Sequence, residues 1–376
     1  MSEPIYLDYN ATAKVRPEAI DAVARALTSV GNPSSVHAAG RAARNLVETA
    51  RADVAALVGA RAPAVTFLSG GTEADALAID SGVADGVARL IIGATEHEAV
   101  RETAAASGLP VEVWPVDADG LADLEWLAAT LADGPRALVA LMLANNETGV
   151  IQPVAEAAAL VRAAGGWLHV DAVQAAGKID IDIDALGADT LALSAHQVGG
   201  PQGVGALVAG PRARLTRQLH GGGQERGVRS GTENVAGIAG FAAAARASSR
   251  DLPALTAQSA WRDELAERMQ AAGAIVLGAA APRLPQTLCV STPDYASDLQ
   301  VMNLDLAGVM ISAGAACTSG KVKPSRVIEA MGQADLALTA VRISGGWATT
   351  EQDWIHCGDV WLEAHARLAD RRRRVA

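Results

Sequence analysis

Three apolar runs decide the fold class: Ala137-Leu138-Val139-Ala140-Leu141-Met142-Leu143, Trp167-Leu168-His169-Val170-Asp171 and Thr190-Leu191-Ala192-Leu193-Ser194. Each is short and continuously hydrophobic. The intervals between them leave room for a helix. A strand that is apolar on both sides belongs between two layers of helices, and strands joined by helical crossovers run parallel. Two of the runs close on a polar residue, Asp171 or Ser194. In open α/β sheets, ligands bind beyond the carboxyl ends of the strands.

The same pattern extends outward. Leu90-Ile91-Ile92 is another buried run. Ala64 to Leu68 reads as a strand that ends in Ser69-Gly70-Gly71-Thr72-Glu73, with a helix from Ala74 to about Ile79. Near residue 250 the character changes. Ala254 to Ala272 is an amphipathic helix with charges at Arg262, Asp263, Glu264, Glu267 and Arg268, and Gln286 to Thr292 starts a new strand. The expected architecture is α/β. A large domain with a mostly parallel central sheet covers residues 1–250, and a smaller α+β domain covers 251–376. Residues 1–15 are candidates to pack on the small domain.

Composition narrows the class. The 376 residues suit two or three domains at roughly 150 residues each. Half are hydrophobic and 19% are charged, enough apolar surface for a large core, which excludes a disordered chain. The net charge of −11 argues against a nucleic-acid partner, and Arg371 to Arg374 read as a solvated tail. No apolar stretch reaches membrane-spanning length, and the acidic start Met1-Ser2-Glu3-Pro4 does not read as a signal peptide, so the cytoplasm is the expected compartment. Three scattered cysteines, Cys289, Cys317 and Cys357, are too few for a disulfide framework or a metal cluster, so no metal is expected.

Five polar clusters carry the chemistry. In Ser69–Glu73 the two glycines let backbone N–H groups approach a phosphate, against the plainer reading of an N-cap. Asp171 is either a partner for a protonated ring nitrogen or a helix cap. The segments 194–205 and 221–232 are Gly-dense; the second carries Arg229, Ser230 and Thr232, an anion site or a solvated loop. Cys317 sits among small residues near Lys321 and Lys323, either a reactive thiol or a small buried hydrophobe.

In this order, the clusters resemble a cysteine desulfurase, of the class V aminotransferase group within the fold type I pyridoxal phosphate enzymes. The resemblance runs from Tyr6-Leu7-Asp8-Tyr9-Asn10-Ala11-Thr12 to Val341-Arg342-Ile343-Ser344. It includes Asn32-Pro33-Ser34-Ser35-Val36-His37, Asn145-Asn146-Glu147-Thr148-Gly149, the loop from His220 to Arg226, Arg229-Ser230-Gly231-Thr232 and Ala316-Cys317-Thr318-Ser319-Gly320. It implies a homodimer with pyridoxal phosphate as cofactor and L-cysteine as substrate. Gly71, Thr72, Ser194 and His196 would hold the phosphate, with Thr232 reaching in from a second copy. His97 would stack on the ring, Asp171 would pair with its nitrogen, and Asn146 and Gln174 would hold its hydroxyl side. Arg342, with Asn146, would bind the substrate carboxylate. Cys317 would take the sulfur as a persulfide and pass it to an acceptor protein in iron–sulfur cluster or thiolation pathways. The interval of 25 residues between Cys317 and Arg342 resembles the family branch with a mobile cysteine loop.

One departure bears on the chemistry. The residue after His196 is the family's Schiff-base lysine, and here it is Gln197. A carboxamide forms no such bond and shuttles no proton, so severely impaired desulfuration is expected. The lysines present, Lys14, Lys178, Lys321 and Lys323, stand outside the family's cofactor motifs. Three readings follow: a Lys→Gln variant, a catalytically impaired homologue kept as a binding or sulfur-relay dimer, or noncovalent pyridoxal phosphate with slow chemistry. Selenocysteine lyase and another class V aminotransferase are the rival activities. Smaller departures are Trp347, expected at the wall of the substrate pocket, and Ala74-Asp75 after the Thr72-Glu73 pair.

Overall fold

The computed structural model describes residues 4–313 and 323–375. A seven-stranded sheet forms its centre. In spatial order the strands are Val65–Leu68, Gly205–Ala209, Thr190–Ser194, Trp167–Asp171, Ala137–Ala140, Arg89–Gly93 and Val111–Trp114. All pairings are parallel except those of Gly205–Ala209, which runs against both neighbours. Helices cover both faces, and the main apolar cluster runs from Ala19 to Leu284. The chain is therefore α/β with a mostly parallel sheet, as the apolar runs predict. The strand Val111–Trp114 shows no run in the sequence because it is an edge: Val113 is half exposed, and Glu112 meets Arg89 at 2.8 Å.

A second, antiparallel sheet holds Ser312–Ala313, Ala340–Ser344, Thr287–Ser291 and Ile275–Val276. Its core contains Leu265, Met269, Leu288, Ile343, Trp354 and Trp361. Leu7 belongs to this core, and Ile5–Tyr6 pair in parallel with Val309–Met310, so the N-terminal segment packs there.

Position 250 falls inside one helix. Val235–Ala271 is continuous for 37 residues and contains Pro253. Its first half buries Ile238, Phe241, Ala242, Ala244 and Ala245 in the large core, and its second half buries Leu265, Ala266 and Met269 in the small one. The sequence shows amphipathic periodicity only after residue 254 because the first half is apolar nearly all round. The helix expected over 74–79 likewise extends over Gly71–Ala84. Among the described residues, no helix is long and apolar enough to cross a membrane.

The segment 221–232 is anchored through a strained turn. Glu225 and Arg226 take φ of 43° and 56°, left-handed values that cost a non-glycine residue about 1–3 kcal/mol. Glu225 offsets this by gripping Arg51 at 2.7 and 2.9 Å and accepting from the Phe67 N–H at 2.9 Å, all buried. Breaking a buried pair leaves an uncompensated charge. Glu225→Ala is expected to lower the free energy of unfolding by about 3 kcal/mol, read from the midpoint of urea denaturation; a loss within error shows that the pair does not anchor the turn.

Candidate functional site

The site lies along the carboxyl ends of Trp167–Asp171 and Thr190–Ser194. Asp171 closes its strand with 7% exposure, and its Oδ1 accepts from the Val173 N–H at 2.9 Å. Gly71 opens the 14-residue helix Gly71–Ala84 close by. A Cβ on Gly71 would stand 2.8 Å from Val173 Cγ2 and 3.7 Å from Ser194 Cβ, so only glycine lets the helix start come this near the strand ends. That places backbone N–H groups and the positive end of a helix dipole beside Ser194. Thr72 is exposed at the same turn. An open cleft of about 660 Å3 adjoins it, lined in part by Ser69, Glu73 and Arg229.

His97 caps the helix Glu98–Ala106, its Nδ1 accepting from the Ala99 N–H at 3.1 Å, so the ring carries its proton on Nε2. Its ring lies near enough to Asp171 to interact with that carboxyl group. His196, in the turn after Ser194, meets Thr12 Oγ1 at 3.1 Å through Nδ1. Burial and the neighbouring Lys178 lower its pKa.

The N-terminal segment ties these parts together, a role the sequence does not reveal. The Asn10 carbonyl accepts from Gln174 Nε2 at 2.8 Å and from Gln197 Nε2 at 2.9 Å. Gln197 Nε2 also donates to the Ala11 carbonyl at 3.2 Å. Asn10 Nδ2 donates to the Asn146 carbonyl at 3.1 Å, and Arg342 Nη1 donates to that same oxygen at 3.1 Å. Arg342 Nη2 holds Asp8 Oδ1 at 2.6 Å. Arg342, Asn146, Asn10, Gln174 and Gln197 therefore form one connected wall. The polar residues Asp8, Asn10 and Thr12 alternate in sequence, a signal that could have marked one face of this segment as functional.

Lys178 completes that wall. Its Nζ donates to Gln174 Oε1 at 2.7 Å and to Gln197 Oε1 at 3.4 Å, with the residue only 6% exposed. Lys178 stands outside the family's cofactor motifs in sequence, and the turn after Asp171 carries it back against position 197. Burial, reinforced by the positive charge of Arg342, lowers its pKa to about 7.

Other expected residues stand apart or outside. Thr232 is exposed, on a smaller cavity lined in part by Phe67, Glu225 and Arg229. Cys317 lies outside the described residues. The described positions on either side of it converge: Ser312 pairs with Arg342 across the small sheet, and Ser325 Oγ donates to Glu147 Oε2 at 2.6 Å. Cys289 and Cys357 are buried, and desolvation raises both thiols, Cys357 to about 12, so neither is a nucleophile at neutral pH. The Trp347 indole N–H donates to the Lys14 carbonyl at 2.8 Å, and its ring lies under the Arg16 guanidinium.

Behind Asp171 is a dry polar layer. Asp75 Oδ1 lies 3.1 Å from His169 Nε2, and His169 Nδ1 lies 3.0 Å from Thr190 Oγ1, all buried. Burial drives both members of the pair neutral, Asp75 up to about 8 and His169 down to about 4. Desolvation and the nearby Asp75 raise Asp171 to about 7, and burial raises Glu96 as well.

A pyridoxal phosphate fits this donor set. The helix start at Gly71 suits a phosphate, and Asp171 suits a protonated ring nitrogen, whose charge would offset its desolvation. Among the described residues, Asn10 Oδ1 and Arg342 Nε are buried without a hydrogen-bond partner, an arrangement that a polar ligand would satisfy.

The comparisons with known proteins agree. The profile of the family described as Aminotransferase class-V matches residues 5–354. The chain is 44% identical to a cysteine desulfurase of Cereibacter sphaeroides, over 88% of this chain and 87% of that one. It is 40% identical to the cysteine desulfurase IscS of an Anaeromyxobacter species, over 98% and 94%. A NifS-like protein from Rickettsia africae superposes with a TM-score of 0.88 at 31% identity, covering 98% of this chain and 100% of that one. A structure described as SspA in complex with cysteine gives 0.78 at 28%, over 90% and 98%. The chain belongs to the class V aminotransferase family, among the cysteine desulfurases, with a fold type I architecture.

The raised carboxyl of Asp75 sets a pH dependence. The folded protein keeps that proton up to about pH 8, whereas the unfolded chain releases it near the ordinary 3.8. Between those values the folded state binds more protons, so this group's contribution to stability falls as pH rises. His169, lowered from 6.5 to about 4, acts oppositely between pH 4 and 6.5. From pH 6.5 to 8, Asp171 and Lys178, both near 7, also titrate, so the Asp75 effect is read as the difference between two proteins that share those groups. Asp75→Asn keeps a hydrogen-bonding amide against His169 and removes the titration. Its unfolding free energy is expected to fall less steeply over that window, by up to about 1.4 kcal/mol per pH unit; parallel curves for the two proteins would show that Asp75 is ionised in the fold.

Proposed function

We propose that this chain binds pyridoxal phosphate, with no covalent bond to position 197, and takes L-cysteine to L-alanine, with the sulfur leaving as a persulfide for an acceptor protein. The connected wall from Arg342 through Asn146 and Asn10 to Gln174 and Gln197 carries the reading. Arg342, proposed to hold a substrate carboxylate, belongs to the same wall as Asn146 and Gln174, proposed to face the ring.

Each residue has a defined task. The N–H groups at Gly71, with Thr72, Ser194 and His196, hold the phosphate. Asp171 keeps the ring nitrogen protonated, His97 covers the ring, and Asn146 and Gln174 face its hydroxyl side. When bound, the cofactor supplies an electron sink for the charge left at the substrate Cα. Three guanidinium protons of Arg342 remain beyond its bonds to Asp8 and Asn146, including that on the unpartnered Nε, and these receive the carboxylate. The Cys317 thiolate attacks the substrate sulfur; an S–S bond forms, and the C–S bond breaks with its electron pair on carbon, which takes a proton to give alanine. The resemblance assigns this role to Cys317; Cys289 and Cys357 are buried with raised pKa values and do not compete for it. Gln197 supplies no proton transfer, which slows the reaction.

A homodimer is part of the proposal, since the resemblance assigns the exposed Thr232 to the phosphate of a second copy. Sedimentation is expected to give twice the 38.3 kDa chain mass; a monomer that retains pyridoxal phosphate removes the second copy from the site. With pyridoxal phosphate and L-cysteine added, slow alanine release is expected. Gln197→Lys should raise it by roughly 10²-fold or more, and Cys317→Ser should leave no persulfide. No alanine from either the unsubstituted protein or Gln197→Lys overturns the reading.

A further inference from the structure

We propose that Lys178 is the amine that bonds covalently to the cofactor in this chain, in place of the lysine that the family carries at position 197. This rests on the cofactor reading given above and goes beyond it, since nothing in the family's motifs assigns such a role to position 178.

The placement of the side chain carries the argument. Lys178 Nζ lies 3.4 Å from Gln197 Oε1 and 2.7 Å from Gln174 Oε1, so it sits between the position that lacks the amine and a residue that faces the ring. The orientation of the Gln197 amide is fixed by its surroundings. Its nitrogen faces the carbonyls of Asn10 and Ala11, which accept only, so its oxygen must face Lys178. A lysine at 197 would carry its nitrogen about 1.5 Å, one bond, past the tip of the glutamine. Lys178, a member of the same wall, brings a nitrogen within 3.4 Å of the Gln197 amide oxygen.

The chain is shaped to put it there. Gly177 turns the backbone with a φ of 70°, and a Cβ on it would lie 2.7 Å from Ser248 Oγ. The lysine that follows is directed inward, nearly fully buried, and among the described residues it forms no salt bridge with a carboxylate. The basic groups facing it are Arg342 and the His196 imidazole, whose own pKa is lowered. A buried ammonium without a counter-ion is costly, and the neutral amine is the form with a free lone pair. The lowered pKa, near 7, agrees with that: much of the amine is unprotonated at neutral pH.

The step balances without a co-reactant. The neutral Lys178 nitrogen adds its lone pair to the aldehyde carbon. Both amine protons pass to the carbonyl oxygen, which leaves as water, and a carbon–nitrogen double bond remains. Nothing is oxidised or reduced. Lys178 then holds the cofactor in the pocket until a substrate amine displaces it, a function the amide of Gln197 does not have.

The test uses the whole chain. Protein is incubated with pyridoxal phosphate, freed of excess by gel filtration, reduced with borohydride and digested. Peptide masses then locate the pyridoxyl group among Lys14, Lys178, Lys321, Lys323 and the N-terminal amine. The expected result is a label on Lys178 and a visible absorbance that reduction abolishes. Lys178→Met should lose both while equilibrium dialysis still shows the cofactor retained. Lys178→Arg serves as a second variant of similar length that cannot form the bond, and circular dichroism shows that each variant is folded. A label on another amine, or undiminished labelling in a folded variant, overturns the assignment. Cofactor retained by the unsubstituted protein but never trapped also overturns it, and leaves the cofactor reading standing. No retention at all overturns the cofactor reading, and the assignment falls with it.

Discussion

The Asn10 carbonyl is the joint on which the site depends. A backbone oxygen has two lone pairs, and in a dry interior both need donors. Here the donors are the amides of Gln174 and Gln197, one from the turn after Asp171 and the other from the turn after Ser194. Three remote pieces of chain are locked to one atom. The side chain of the same residue reaches the Asn146 carbonyl, which fixes Arg342 in turn. Loss of any member would strand buried polar atoms on the others, so the wall forms as a unit.

Burial acts on the site and the layer behind it in two opposite directions. It raises the acids Asp75, Glu96 and Asp171, and it lowers the bases His169 and Lys178. One cause explains both, because desolvation penalises whichever form is charged. Desolvation of this kind favours neutral side chains. A ligand with a cationic ring nitrogen and an anionic phosphate would reverse that preference at Asp171, where a charge of opposite sign arrives.

Much of the fold was legible. The runs ending at Asp171 and Ser194 are strands over the residues expected, because strands buried on both faces leave a continuous apolar signature. The edge strand Val111–Trp114 has no such signature. The first half of Val235–Ala271 was invisible for the opposite reason: burial on nearly all sides erases the amphipathic period. Pro253 adds a local signal for a break, which packing at both ends of the helix overrides.

The motifs determined by themselves the class of protein, the strand-end location of Asp171 and Ser194, and the absence of an amine at position 197. Those features are local in sequence, and local chemistry is enough to read them. Only the tertiary structure decided that Asn10 joins the two glutamines and that Lys178 lies against Gln197. Residues 10 and 197 are neighbours because Ile5–Tyr6 join the small sheet region while the following segment crosses the strand ends of the large one. The desolvation that makes Lys178 a candidate nucleophile belongs to the packed core around it, and no stretch of sequence carries that property.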